Sequence, residues 1–187
     1  DLLRGRSLKS AFQPRLNMSV DAFDGWKGKV AFGRFSQEVI AITNEDDVLP
    51  ILMPSILVPE GLDPEWADHV VIGIEGNFVP TLSANFQGYY KHYGSLVTYN
   101  PEKYSVRDPD YISSRAEAYG AEALLRWGDP LIDVYIAYTL GWVRINANGF
   151  IYAPRYDRRH TLHLLATVHA AENLDISARW QLGSGLP

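Results

Sequence analysis

The residues of this chain with the widest chemical reach are its five histidines and a set of clustered carboxylates. Neutral imidazole is a good ligand for zinc, copper or iron, so a histidine pair in reach of one ion would suggest a metal centre. His163 and His169 stand six residues apart. On an extended strand that spacing places them on one face but about 20 Å apart, too far to share an ion. His160 and His163 fall on opposite faces. A metal site is therefore not expected. Glu60, Asp63, Glu65 and Asp68, together with the run Glu45-Asp46-Asp47, could offer oxygen ligands to calcium. A solvated connection explains the same cluster more simply. There is no cysteine, which removes thiolate metal sites and disulfides. Gly183-Ser184-Gly185 lacks the Gly-x-Ser-x-Gly spacing of a nucleophile elbow, and no glycine-rich phosphate loop is present. The expectation is a protein that is not an enzyme and carries no cofactor.

The elements that carry these polar residues alternate with a period of two. Asn173–Leu182 sets Leu174, Ile176, Ala178, Trp180 and Leu182 against Asn173, Asp175, Ser177, Arg179 and Gln181. Successive side chains on a strand point to opposite faces, so this segment is apolar on one side and polar on the other. The same reading gives about eight strands. They run over Gln13–Phe23, Trp26–Gln37, His69–Phe78, Thr81–Lys91, Ser114–Trp127, Leu131–Asn146, Arg159–Ala170 and Asn173–Leu182. Asp24-Gly25 and Gly128-Asp129-Pro130 are turn signals.

The 187 residues, 47% hydrophobic and 12% aromatic, suffice for one folded domain and argue against disorder. A net charge of -5 gives no basic surface for nucleic acid. The most apolar stretch, Val48–Val58, is short and interrupted by Pro50 and Pro54, so no transmembrane helix is expected. That leaves strand-based membrane crossing open, because its signal per segment is weak. The segment begins without a start methionine or signal peptide and reads as part of a longer chain.

The joins between strands separate two all-β readings. Those near residues 24, 79, 129 and 172 are short; those over 38–68, 92–113 and 147–158 are long. Short and long alternate strictly, as the periplasmic turns and extracellular loops of a transmembrane barrel do. Trp26, Phe78 and Trp127 lie on the apolar face beside short turns, and Tyr90, Trp142 and Trp180 on the same face near long loops. Tyr90 is twelve positions from Phe78, and Trp142 is ten from Ile132. About ten tilted residues cross an apolar band of roughly 25 Å. Arg34, Arg115 and Glu117 fall beyond this band, at headgroup level. A soluble sandwich explains the alternation, but neither the rhythm nor the paired belts.

Several phrases then resemble the barrel of TonB-dependent outer-membrane receptors, in particular the SusC-like and related branches. They are Ile56-Leu57-Val58-Pro59-Glu60, His69–Glu75, Tyr89-Tyr90-Lys91, Ala118–Glu122, Ala137–Leu140, Tyr156-Asp157-Arg158-Arg159-His160 and Ala178–Pro187. The resemblance runs from about Gln13 to the end and implies an all-β, antiparallel, up-and-down transmembrane β-barrel. About eight consecutive strands of a barrel of about 22 would be present, with residues 1–187 as barrel wall and the plug domain and terminal strands absent. It further implies a bacterial outer-membrane location and import of a siderophore, cobalamin, glycan or peptide with energy from TonB. The expected partners are outer-membrane lipid, the protein's own plug, TonB acting through the plug and a SusD-like lipoprotein; nucleic acid is not one.

On that resemblance, solute contacts should come from loops and from the face turned to the lumen. The candidates are Asn85, Gln87, Lys91, Glu122, Arg159, His163 and Arg179, with Thr161, Asp133 and Asp175 beside them. Inward charges also pair across strands and touch the plug, which accounts for most such residues. At the outer rim Arg158 and Arg159 face opposite ways, one toward lipid phosphates and one toward the lumen, and Asp157 is expected to latch a loop. Two alternatives remain at this point: a self-contained eight-strand outer-membrane barrel acting as anchor or small pore, and a soluble carbohydrate-binding β-sandwich.

Overall fold

A computed structural model of the chain describes residues 11–41, 55–59 and 61–185. Among them there is no helix. The strands are β1 (Arg15–Phe23), β2 (Trp26–Gln37), β3 (Val39–Ala41), β4 (Ser55–Leu57), β5 (Glu65–Val79), β6 (Leu82–Tyr99), β7 (Tyr111–Gly128), β8 (Ile132–Ala147), β9 (Phe150–Tyr152), β10 (His160–Ala171) and β11 (Leu174–Gly183). One antiparallel sheet runs in the order β1-β2-β5-β6-β7-β8-β10-β11, with β9 folded back on β8 and β3-β4 forming a small separate hairpin. Each long strand pairs with its neighbours in sequence, so the sheet is a meander.

The register keeps one face apolar across the whole width. One row reads Ile74, Phe86, Ala123, Tyr138, Leu162 and Leu182, directly opposite one another over six strands. The reverse face carries rows such as Gln87, Glu122, Thr139 and Thr161. A slip of one residue would invert every strand, so the hydrophobic pattern fixes the pairing. Nothing among the described residues packs on the apolar face: Ile72 stays 60% exposed and Ile176 58%. The chain exposes 13406 Å², where a compact globule of this size would expose roughly 9,000 Å². That is the geometry of a single-layer wall. A sandwich would bury this face under a second sheet, and β3-β4 is too small to serve.

The sheet is also open. β1 and β11 end the strand order without pairing to each other, so the described residues do not form the self-contained eight-strand barrel. The aromatic residues form belts in contact: Phe23, Trp26 and Phe78 touch at one end, with ring centroids 5.7 and 5.0 Å apart, and Tyr119 stacks on Trp142 at 5.5 Å at the other.

Two connections are shorter than the sequence suggests. Half of the expected loop over 92–113 is strand, because β6 and β7 continue pairing to Tyr99 and Tyr111. The register slips between Tyr93 and Leu96, and a bulge shifts the period by one and hides the continuation. The Trp66 ring covers Gly94 there, where a Cβ would come within 1.8 Å of it. The remaining tip is held by its own bonds: the Asn100 side chain accepts from Glu102 N–H, and the Asp108 carboxylate from Tyr104 and Ser105 N–H. In the connection after β8, Asn148 (φ 52) and Gly149 (φ 90) make a tight turn that lays β9 on β8. Positive φ at both central residues is what a type I′ hairpin requires.

Candidate functional site

The polar face of the sheet carries the candidates. All strand-borne candidates lie on it, because the register places each in a row of the same parity as Gln87, Glu122, Thr139 and Thr161. Asn85, Gln87 and Glu122 come together. Gln87 donates to the Glu122 carboxylate at 2.5 Å, and Asn85 donates to Glu75 at 3.2 Å. Glu75 in turn meets Lys29 at 2.5 Å. Beside this ladder lies a depression of about 380 Å³ lined by Asn17, Ser19, Lys29, Gly73, Asn85 and Gln87, among others. Gly73 keeps its floor open, since a Cβ there would stand 2.9 Å from the Phe86 carbonyl oxygen.

Lys91, two same-face positions beyond Gln87, lies with its ammonium 5.2 Å from the centre of the Tyr89 ring. Tyr89 reaches across β7 and β8, where its hydroxyl would meet a Cβ at Gly120 at 2.7 Å and one at Gly141 at 2.6 Å. Toward β1 an aromatic row continues the surface. Phe35 lies 4.6 Å from His69, His69 lies 6.1 Å from Tyr93, and the Arg15 guanidinium covers Phe35. The sequence reading passed over this row and over Tyr89, although carrying the alternation one same-face position past Gln87 reaches Tyr89.

His163 and Arg179 also lie on this face, opposite Ala137 and Leu165 respectively. They belong to β10 and β11, across β8 from the Gln87–Glu122 ladder. Arg159 lies just before β10, where its carbonyl accepts from Gly141 N–H at 3.0 Å. The six strand-borne candidates thus share a face but form two groups. Nearer the short turns His169 bridges two carboxylates, Asp175 at 2.8 Å and Asp133 at 3.3 Å. Three strands are tied together there.

No group of histidine and carboxylate side chains suited to a metal occurs among the described residues. The acidic cluster is dispersed: Asp68 holds Arg34 through two bonds of 2.7 and 2.6 Å, and Glu65 accepts from Gln37 and from Val97 N–H. Glu45, Asp46, Asp47 and Glu60 lie outside the described residues. Asp157 is 5% exposed, its N–H donating to the Pro154 carbonyl. Arg158 lies beside Gly183.

Neither a protein-family model nor a curated protein matches this chain. Solved structures do, among them two outer-membrane proteins. The ferric-catecholate import receptor Fiu from E. coli K12 is 13% identical, with a TM-score of 0.62 over 89% of this chain. The FpvAI receptor, solved in complex with pyocin S2, is 18% identical, with a TM-score of 0.65 over 93% of this chain. This chain spans 24% and 23% of those two chains. The likeness shows the fold alone: an open, all-β antiparallel sheet that matches a section of the barrel of a TonB-dependent receptor.

Proposed function

We propose that this chain is a stretch of the barrel wall of a bacterial outer-membrane receptor that imports a solute with energy relayed by TonB. One observation carries the reading. A single sheet presents a bare apolar face bounded by two aromatic belts, and backs it with a polar face whose side chains are bonded to one another. Lipid is the solvent that matches the first face, and a plugged, water-filled lumen matches the second. The short turns then face the periplasm and the long connections the exterior. In the neighbouring structures the remainder of the chain is about three times as long as the part matched here. The plug, the contact with TonB and the closing strands belong to that remainder in the proposed protein.

The inner surface acts here by binding, without bond making. Solute recognition is assigned to Asn85, Gln87, Lys91 and Glu122 on one side and to Arg159, His163 and Arg179 on the other. Half-exposed polar pairs such as Gln87–Glu122 contribute little to stability, so they can exchange partners as a solute passes. The proposed solute is a siderophore, cobalamin, glycan or peptide, with a SusD-like lipoprotein as the proposed cap.

The absence of native cysteine in this segment makes sidedness directly measurable. Ser105→Cys, in the tip between β6 and β7, is expected to react with a membrane-impermeant maleimide on intact cells. Glu172→Cys, in the turn between β10 and β11, is expected to react only after the outer membrane is opened. Equal labelling of both on intact cells would refute the arrangement. Loss of substrate-dependent growth on deletion of TonB, with the protein still in the outer membrane, tests the energy source.

A further inference from the structure

We propose that Asn148 is a site of spontaneous covalent modification, and that Asn146 protects it. Asn148-Gly149 is the single Asn-Gly step in the sequence, and such a step is prone to one reaction. The Gly149 backbone nitrogen gives up its proton and attacks the Cγ carbonyl carbon of the Asn148 side chain. A C–N bond forms, the Cγ–Nδ2 bond breaks, and ammonia leaves carrying the proton that Gly149 lost. The product is a five-membered succinimide. Water then opens the ring at either carbonyl, giving aspartate or isoaspartate. No electron transfer takes place, and water is the one co-reactant. Glycine favours the step because it has no Cβ to obstruct the ring.

The fold opposes this reaction in two ways. Asn148 (φ 52) and Gly149 (φ 90) are the central residues of the turn between β8 and β9. The pairs Ala147–Phe150, Asn146–Ile151 and Ile145–Tyr152 hold them there. Ala147 and Ile145 are 1% and 3% exposed and anchor one arm. Ring closure requires the Asn148 backbone and side chain to rotate together, and a turn pinned at positive φ resists that rotation. The second device is one hydrogen bond. Gly149 N–H donates to Asn146 Oδ1 at 2.8 Å, so the proton that must leave is the proton held by Asn146. Asn148 itself is exposed. Water reaches it freely, and burial is not what protects it.

The modification has a structural consequence. Isoaspartate inserts one extra backbone carbon into a two-residue loop. A type I′ turn has no room for it, so β9 would lose its register on β8. The connection after β9 holds the buried Pro154 and Asp157 and leads into the candidate residue Arg159. Conversion at Asn148 thus loosens the support of that residue. It is a slow, irreversible ageing step timed by one side-chain amide. The chemistry needs only the hairpin, whatever solvent meets the two faces of the sheet.

The test is peptide mapping by mass spectrometry of the intact folded protein during incubation at mildly alkaline pH. Conversion is read as the mass gain of amide-to-acid exchange in the peptide that carries Asn148, and isoaspartate by enzymatic methylation. The same protein unfolded in urea gives the unprotected rate. The folded wild type is expected to convert at least about fivefold more slowly, the change that one ordinary net hydrogen bond represents. Asn146→Ala should recover about fivefold in rate. Asn146→Asp keeps an acceptor oxygen in place and should stay near the wild-type rate. Asn148→Asp, already converted, should show no further mass gain in that peptide. A heat-shifted gel band checks that each variant is folded. An unchanged rate in folded Asn146→Ala, or equal acceleration by Asn146→Asp, overturns the role of Asn146. Conversion of the folded wild type at the unfolded rate overturns the protection itself, and that comparison needs no variant.

Discussion

Arginine in place of Ala123 is expected to destabilise the intact protein in lipid by about 2–4 kcal/mol, while arginine in place of its neighbour Leu124 should cost far less. Ala123 sits midway between the belt residues Tyr119 and Trp127, on the apolar face, between Phe86 and Tyr138. A guanidinium there has only hydrocarbon to meet, and the depth is too great for easy escape to either headgroup layer. Leu124 points the other way, opposite Asn85 and Ala137, and is 43% exposed on the inner face. A charge at that position joins a surface already rich in lysine and glutamate. Guanidinium unfolding in phospholipid vesicles reads the difference. Similar losses for both variants, or a greater loss at Leu124, would contradict the assignment of the two faces and remove the membrane reading with it.

A second large effect is expected at Gly120. Valine there should cost about 3 kcal/mol or more, through overpacking that side-chain rotation cannot relieve. The Cβ would stand 2.3 Å from the Leu140 carbonyl oxygen, a backbone atom fixed by the β7–β8 ladder, and 2.7 Å from the Tyr89 hydroxyl. Tyr89 could move, but the carbonyl could not without parting the strands. Gly88 is the comparison. A Cβ there meets nothing closer than the Gly120 carbonyl oxygen at 3.8 Å, so Gly88→Ala should be nearly neutral. The fraction of protein recovered as a heat-modifiable barrel separates the two. Normal recovery of Gly120→Val would show that the two strands can part there at little cost.

The strands were readable because the alternation is uninterrupted wherever both faces meet different solvents. Leu174 to Leu182 shows this most plainly. Reading failed where the period breaks. The bulge near Gly94 moves the pattern by one position, so the paired outer reaches of β6 and β7 looked like loop. Asn148-Gly149 carries the strongest short hairpin signal, yet its arms are so short that the surrounding connection masked it. Of the candidate site, the face of each strand-borne residue was legible, since facing follows from parity alone. Which residues meet was not. The contact of Gln87 with Glu122, and the separation of both from His163 and Arg179, depend on strand register. Register is set by turns and by the fit of neighbouring rows, and one segment read alone does not contain it. The partners of Glu65 and Asp68 were hidden for the same reason: Gln37 and Arg34 lie on the neighbouring strand β2.

The meander has a bearing on how such walls change over generations. Each long strand takes its register from the two beside it, and no strand in the main sheet depends on one further away. Duplicating or deleting a hairpin would therefore alter the circumference of the cylinder while leaving every remaining pair as it was. Lineages built this way can vary pore size in steps of two strands by simple recombination between turns. The short turn at Glu172-Asn173 is a natural breakpoint for that exchange, because a cut there separates whole strands.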